Sequence, residues 1–383
     1  MKAVSLFVKY RIWLAAVACF VTPLAVVAQN ADSSTTTDTT KSATPGPVAV
    51  TGYVTSSYTY GTQAQGHDIV GRLYNRRHNE FMLNVADLTV ERVAATDRMD
   101  AGFHFEGFFG QNAEVVKSVG LDLGHDADIW QAYVTLNWPL GPGAYVQFKG
   151  GKLATLMGVE VGEDVVNPNL DVGWQDVLLE PFTETGAELD AKFGPHADVE
   201  LRVSNGWDQV TDINTGKTVM ARLGLTPDDQ TLIALVGYLG PEQAGNAHDK
   251  RFGANAVLSR KITPPANAWL QLDYGQEQGI AANGGDAKWY AAGFWVTYDV
   301  APAATLAFRG DYVNDRDGAR SSGALGFPVN TGQKFGSATA TLNIKSWAHA
   351  LVRPEIRYDH SDLSVFKGKD SQITFGLGYS YIF

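Results

Sequence analysis

Cysteine is almost missing from this 383-residue chain, in which Cys19 is the only one. Removal of the N-terminal segment that contains Cys19 would leave no thiol, which excludes disulfides, thiol catalysis and thiolate metal sites. The patterns G-x-S-x-G, H-E-x-x-H, Walker and complete G-x-G-x-x-G are also missing, so common catalytic and phosphate-binding mechanisms have no anchor. These absences predict a protein that is not an enzyme and needs no cofactor.

Metal-ligand patterns are equally scarce. Four histidines that could serve as metal ligands are separated by many residues in sequence: His104, His196, His248 and His360. We interpret each as a barrel-interior or loop residue. Asp315, Asp317 and Gly318 match part of a calcium loop, but Val313 stands where the first oxygen ligand should be, which favours a tight turn. The sequence therefore predicts no metal site.

No stretch after residue 28 is long and apolar enough to cross a bilayer as a helix. The apolar run 12–27 has 16 residues, fewer than the roughly 20 that a spanning helix needs. It follows a basic start and precedes small residues, the pattern of a signal peptide cleaved after Ala28. A lipoprotein site at Cys19 is the alternative, although it lacks the preceding leucine. Residues 29–47, rich in Ser, Thr, Asp and Pro, predict a disordered periplasmic leader.

Positive charge is in the minority. The formal charge is −11, and it becomes −14 once the signal segment with Lys2, Lys9 and Arg11 is removed. Such an acidic chain repels nucleic acid, so no nucleic-acid partner is expected.

Short segments in which polar and apolar residues alternate fill the rest of the chain. Within 350–359, Arg353, Glu355 and Arg357 share one face and Ile356 and Tyr358 share the other, which indicates β-strands. We place sixteen strands between residues 48 and 383, with 14 or 18 left open because 230–239 is apolar on both faces. Long and short connections alternate, which is typical of an all-β transmembrane antiparallel barrel with long extracellular loops and short periplasmic turns.

The last strand carries the most specific signal. Bulky apolar residues occupy every second position and end the chain: Ile373, Phe375, Leu377, Tyr379, Tyr381 and Phe383. This ending resembles the C-terminal signature by which the barrel assembly machinery recognises its substrates, with Tyr379, Tyr381 and Phe383 as the signal. It predicts export to the bacterial outer membrane, where lipid and lipopolysaccharide surround the barrel.

Charges on the polar faces point to a watery interior. An Arg or Lys facing lipid near the midplane would cost roughly 2–4 kcal/mol, whereas facing water it costs little. A cylinder of about sixteen strands is also too wide for side chains alone to fill. The predicted pore-lining residues are Glu188, Asp190, Lys192, Arg202, Arg222, Arg309, Asp311, Arg353, Glu355 and Arg357. Trp138, Trp269 and Trp347 lie near short turns and predict an interfacial girdle.

Three motifs in order resemble a known family. They are N-x-F-x-L-N-x-A-x-L-x-x-E-R from Asn79, G-K-x-x-T-x-x-G-x-E from Gly151 and P-F-T-x-T-G from Pro181, preceded by Gly52, Tyr53, Tyr58 and Tyr60. Together they are similar to the putative outer-membrane β-barrel porin family of the OmpL-like type, over about residues 48–383. The resemblance implies a barrel through which small solutes diffuse.

The third long connection, 154–184, is acidic and contains no Lys, Arg or His. By resemblance to general porins, whose third loop folds into the lumen, we expect it to form the constriction. Its acidic residues are Glu160, Glu163, Asp164, Asp171, Asp176, Glu180 and Glu184. They predict a preference for cations. The alternative is an acidic loop on the outer rim that contacts metal-bridged lipopolysaccharide.

The sequence thus predicts a porin for passive diffusion of small hydrophilic solutes or ions, with a homotrimer as the expected assembly. An adhesin or structural barrel, and a barrel-type hydrolase, are the competing functions.

Overall fold

The computed structural model describes residues 46–383. The predicted signal peptide and all but the last two residues of the predicted leader lie outside this range. Sixteen antiparallel strands form one closed barrel. They are β1 (Ala49–Gly61), β2 (Glu80–Arg92), β3 (Asp100–Phe109), β4 (Ala127–Gly141), β5 (Ala144–Ala154), β6 (Thr183–Phe193), β7 (Ala197–Trp207), β8 (Thr218–Asp228), β9 (Thr231–Gly240), β10 (Arg251–Thr263), β11 (Ala266–Glu277), β12 (Ala287–Ala301), β13 (Ala304–Asp315), β14 (Gln333–Ile344), β15 (Ala350–Ser361) and β16 (Ser371–Ile382).

Closure joins the two ends of the chain. β1 pairs with β16 in a register that sets Tyr53 opposite Ile382 and Tyr60 opposite Phe375. The backbone N–H of Gly52 donates to the carbonyl of Phe383 at 3.1 Å, and the N–H of Phe383 donates back at 2.9 Å. Every strand therefore has two neighbours, and no edge is left with unpaired backbone groups. The predicted barrel and its count of sixteen strands are confirmed.

Each strand separates its side chains by face, as the period of two requires. On β16 the apolar Ile373, Phe375 and Tyr381 are exposed, whereas the intervening Gln372 and Thr374 are buried inside the barrel. Apolar side chains thus cover the outside, and polar ones turn inward. This is the inverse of a soluble globular protein and suits a lipid surround.

The connections alternate in length around the barrel. The long ones occupy one rim and include α1 (Gln111–Val115) and α2 (Trp174–Leu179). Among residues 46–383, no helix has the length and apolar character needed to span a bilayer.

The structure shows how Pro354 and Trp269 fit into their strands. Pro354 lies within β15, and the β14–β15 pairing is interrupted between Thr341↔Glu355 and Ile344↔Val352, because proline donates no hydrogen bond. The expectation that Trp269 belongs to an outer girdle is wrong. Trp269 pairs with Ser259 and Trp295, whose side chains face inward, so the period of two turns it inward as well.

Candidate functional site

The connection between β5 and β6 crosses the interior and contacts the opposite wall. The N–H of Val159 donates to Gln271 Oε1 on β11 at 2.8 Å. The N–H of Leu170 donates to Glu355 Oε2 on β15 at 2.7 Å, and that of Trp174 to Asp311 Oδ2 on β13 at 2.5 Å. Side chains from several distant strands therefore hold this segment across the barrel.

Gly158 sets the direction in which the segment leaves β5. Its φ of +78° lies in the left-handed region, which side chains other than glycine adopt at a cost. A Cβ at this position would also lie 2.1 Å from both carboxylate oxygens of Glu180, near the other end of the segment. A glycine is needed here for both reasons, and it lets the two ends of the segment approach each other.

Four acidic residues of the predicted constriction pair with arginines of the barrel or of the first long loop. Glu160 Oε1 lies 2.7 Å from Arg309 Nη1, and Glu184 Oε2 lies 2.8 Å from Arg202 Nη1. The remaining ion pairs are Asp171 with Arg72 at 3.2 Å and with Arg357 at 3.7 Å, and Asp164 with Arg353 at 3.9 Å. Since each of these carboxylates is buried, the segment does not lie as an acidic loop on the outer rim.

The other three acidic residues of the set meet different surroundings. Glu180 accepts a hydrogen bond from Gln271 Nε2 at 2.6 Å, and Asp176 is buried in α2. Glu163 accepts from Gln131 Nε2 at 3.3 Å, and the same amide donates to Glu106 Oε2 at 2.7 Å. One amide therefore bridges two buried carboxyl groups on this side of the interior.

Asp164 lies in a short 3₁₀ turn, Asp164–Val166, at the inner side of this segment. Burial raises the pKa of its carboxyl to about 6, while Arg353 and a hydrogen bond from Thr55 Oγ1 at 3.2 Å favour the ionised form. The desolvation of the charge outweighs the attraction, because the nearest guanidinium nitrogen is as far away as 3.9 Å.

The residues predicted to line a pore lie inside the barrel in two groups. On β5–β8, Glu188 Oε1 lies 2.6 Å from Lys149 Nζ, and Glu188 Oε2 lies 2.6 Å from Arg202 Nη2. Arg222 Nη1 lies 2.5 Å from Asp198 Oδ2, and Lys192 Nζ lies 3.3 Å from Asp198 Oδ1. The second group, on β13–β15, contains Arg309, Asp311, Arg353, Glu355 and Arg357, which hold the crossing segment.

Asp190 completes the first group. It pairs in register with Glu200, and carboxylate oxygens of Asp190, Asp198 and Glu200 lie within 4.8 Å of one another. Lys192 and Arg222 bind this cluster of three carboxylates, so these two cationic groups offset only part of its negative charge.

Some interior ionic residues were missed from sequence. Lys149 lies on the polar face of a predicted strand, so the alternation could have identified it, just as it places Asp198, Glu200 and Asp359 on inward faces. Arg72 could not be found this way, because it lies in a loop and reaches Asp359 Oδ2 at 2.6 Å only through the fold.

Acidic groups outnumber basic ones inside the barrel. Among the buried side chains of residues 46–383, 19 are Asp or Glu and 10 are Lys or Arg. Pairing therefore cannot neutralise the interior, and a negative potential remains.

Comparisons with known proteins agree with this geometry. The family described as "Putative beta-barrel porin-2, OmpL-like" matches residues 47–383. No curated protein matches the sequence. The fold is similar to an anion-selective porin from Comamonas acidovorans, with 11% identity, a TM-score of 0.61, and coverage of 88% of this chain and 99% of that chain. At such identity the likeness shows the fold alone.

Two further solved structures share the architecture. The outer membrane channel DcaP of Acinetobacter baumannii is 13% identical with a TM-score of 0.58, covering 88% of this chain and 97% of that chain. The trimer form of the outer membrane protein OmpT of Vibrio cholerae is 12% identical with a TM-score of 0.58, covering 89% and 100%.

Proposed function

Because the chain belongs to the putative beta-barrel porin-2, OmpL-like family, we propose that it lets small hydrophilic solutes or ions diffuse passively across the outer membrane. In this proposal the pore prefers cations. Family membership favours a channel over the alternative of a barrel-type hydrolase. Residues 1–28 act in this proposal as the signal peptide that exports the chain, and residues 29–47 as a periplasmic leader.

The segment between β5 and β6 is the constriction in this proposal. It crosses the interior, and its acidic side chains meet the wall residues that were predicted to line a pore. The route for solutes then runs beside this segment. Fixed charges at such a narrow point act strongly on passing ions, because little water is present to screen them.

The excess of buried acidic groups carries the cation preference. Nineteen carboxyl groups against ten cationic groups leave the interior negative, which raises the local concentration of cations and lowers that of anions. The neighbour from Comamonas acidovorans is named an anion-selective porin, but selectivity depends on individual side chains that an 11% identity does not conserve.

The partners proposed for the chain follow from its surfaces. The apolar outside suits lipid and lipopolysaccharide, and the alternating end of β16, with Tyr379, Tyr381 and Phe383, would be read by the barrel assembly machinery. A homotrimer is supported by the trimer form of the similar OmpT structure.

Reversal potentials in planar bilayers under a KCl gradient test this proposal. We expect stepwise conductance and a cation-to-anion permeability ratio above one. Glu163→Gln should lower that ratio, whereas the matched control Asp370→Asn, at an exposed position on an outer loop, should leave it unchanged. A conducting protein with a ratio of one or less would overturn the cation preference.

A structural or adhesive barrel is the second candidate. It is favoured by one observation, namely that buried ion pairs fix the crossing segment to the opposite wall. A folded, reconstituted protein that conducts no ions would support this candidate and refute the porin proposal.

A further inference from the structure

The inner face of β9 is apolar, in contrast to the polar inner faces of its neighbours. Leu232, Ala234, Val236 and Tyr238 turn inward and are buried, while Leu235 on the other face is exposed to lipid. A wall that borders only water and ions gains nothing from apolar side chains. The inner face of this strand therefore needs an explanation that a hydrophilic pore does not supply.

Packing explains the half of β9 nearest the long loops. Val236 and Tyr238 form an apolar cluster with Leu156 and Met157 of the crossing segment, and with Trp207 and Met220 of neighbouring strands. The ring centroids of Trp207 and Tyr238 lie 5.1 Å apart. These residues hold the segment to the wall.

The other half of β9 borders a cavity instead. A partly open cavity of about 70 Å³ separates this wall from the crossing segment. Apolar side chains line both sides: Leu156, Val159, Val161 and Val166 from the segment, and Leu232, Ala234, Val257 and Trp269 from the wall. Leu232 is the second residue of its strand, which places the cavity toward the short-turn rim.

Three of the polar side chains in the lining already have partners, and Ser259 adds a hydroxyl group. Asn167 accepts from the N–H of Val161 at 2.9 Å and donates to its carbonyl at 2.7 Å. Asn255 donates to Asp273 at 2.7 Å and accepts from the N–H of Gly158 at 3.3 Å. Arg222 pairs with acidic groups of β7. What the cavity offers a solute is therefore mainly apolar surface.

We propose that this cavity binds compact, uncharged solutes with an apolar body as they pass through the barrel. Sites that bind small organic molecules are concave, mostly apolar and fitted with few polar groups, as this one is. Ions are disfavoured there, since apolar walls do not replace their hydration shells. The inference rests on the proposed pore for the route by which solutes arrive, and it adds a substrate class to that function.

Thiol labelling tests the site directly, because Cys19 is the only native cysteine. In a Cys19→Ser background, Val257→Cys places a thiol in the cavity, and Thr135→Cys places one on the inner face of β4. The two positions are matched in exposure, at 7% and 8%. Each variant, reconstituted in liposomes, is treated with N-cyclohexylmaleimide and with N-(2-hydroxyethyl)maleimide, which share one reactive group and differ in polarity.

We expect the ratio of the cyclohexyl to the hydroxyethyl rate to be about tenfold higher at position 257 than at 135, which corresponds to burial of roughly two more CH₂ groups. Adding Leu232→Asn to Val257→Cys should reduce this ratio toward that at 135. Equal ratios at the two positions would overturn the inference.

Ion conductance measured on the same samples separates this inference from the proposed function. Conductance with equal labelling ratios leaves the pore standing and refutes the apolar site. A tenfold ratio without conductance supports the site and refutes the pore.

Discussion

Arg309 provides the sharpest test of how the crossing segment is held. Its Nη1 lies 2.7 Å from Glu160 Oε1 and donates to the carbonyl of Asp171 at 2.5 Å, while Nη2 donates to Thr339 Oγ1 at 3.0 Å. Arg309→Met keeps an unbranched stem like the aliphatic part of arginine but removes the guanidinium and every one of these donors. Glu160 is only 1% exposed, so its charge would stay buried without its cationic partner.

The expected loss follows from that uncompensated charge. Breaking a buried ion pair from one side costs about 3–5 kcal/mol in the free energy of unfolding. Glu160→Gln removes the charge itself, and its amide oxygen can still accept from the N–H of Gly173, which now donates to the carboxylate at 2.6 Å. The double variant should therefore be more stable than the sum of the single effects predicts, with an interaction energy of about 2 kcal/mol or more.

Urea unfolding in lipid vesicles, followed by tryptophan fluorescence and linear extrapolation, measures these free energies. Arg98→Met is the control, because Arg98 pairs with Asp97 at the surface, where both side chains are well exposed, and should cost less than about 1 kcal/mol. An interaction energy between positions 160 and 309 below about 0.5 kcal/mol would show that the pair does not hold the segment.

Three further outcomes are expected. The folded protein holds the proton of Asp164 more tightly than the unfolded chain, since its pKa is about 6 instead of 3.8. The free energy of unfolding should therefore fall by about 3 kcal/mol in total as the pH rises from well below 3.8 to well above 6. The free energy of unfolding of Asp164→Asn should not show this fall with pH. If the variant and the unchanged protein showed the same fall, Asp164 would not be its source. Gly158→Ala should lower the free energy of unfolding by about 1–2 kcal/mol or more. The loss should exceed that of Gly245→Ala, because Gly245 has a similar φ but open space around it. Equal losses in urea unfolding would contradict the close contact between position 158 and Glu180. Phe383→Ser should lower the amount of folded barrel in outer membranes, scored by heat-dependent migration on gels, and an unchanged amount would argue against the C-terminal assembly signal.

Periodicity made the fold predictable. The alternation of Arg353, Glu355 and Arg357 with outward apolar residues repeats around the chain, and this local pattern suffices to give sixteen strands. The segment 350–359 forms β15, which ends two residues later, at Ser361. Where a strand ends depends on hydrogen bonds to its neighbour, so its last residues are not a local property.

The candidate site was less predictable. The charged faces could be read from alternation, but the partners of each charge could not. Asp171 meets Arg72 and Arg357, which are 99 and 186 residues away in sequence. The sequence shows only an acidic segment without a basic residue, whereas in the fold arginines of the barrel and of the first long loop pair with four of its acidic residues.

The sequence by itself determined the class of architecture, because the hydrogen-bonding demands of a bilayer and a side-chain period of two allow only a closed barrel. It also determined the sign of the interior charge, which is a matter of composition. Only the tertiary structure decided which charges pair, that Trp269 turns inward, and that the apolar inner face of β9 borders a cavity. These depend on distances of a few ångströms between strands far apart in the chain, and neither composition nor periodicity encodes such distances.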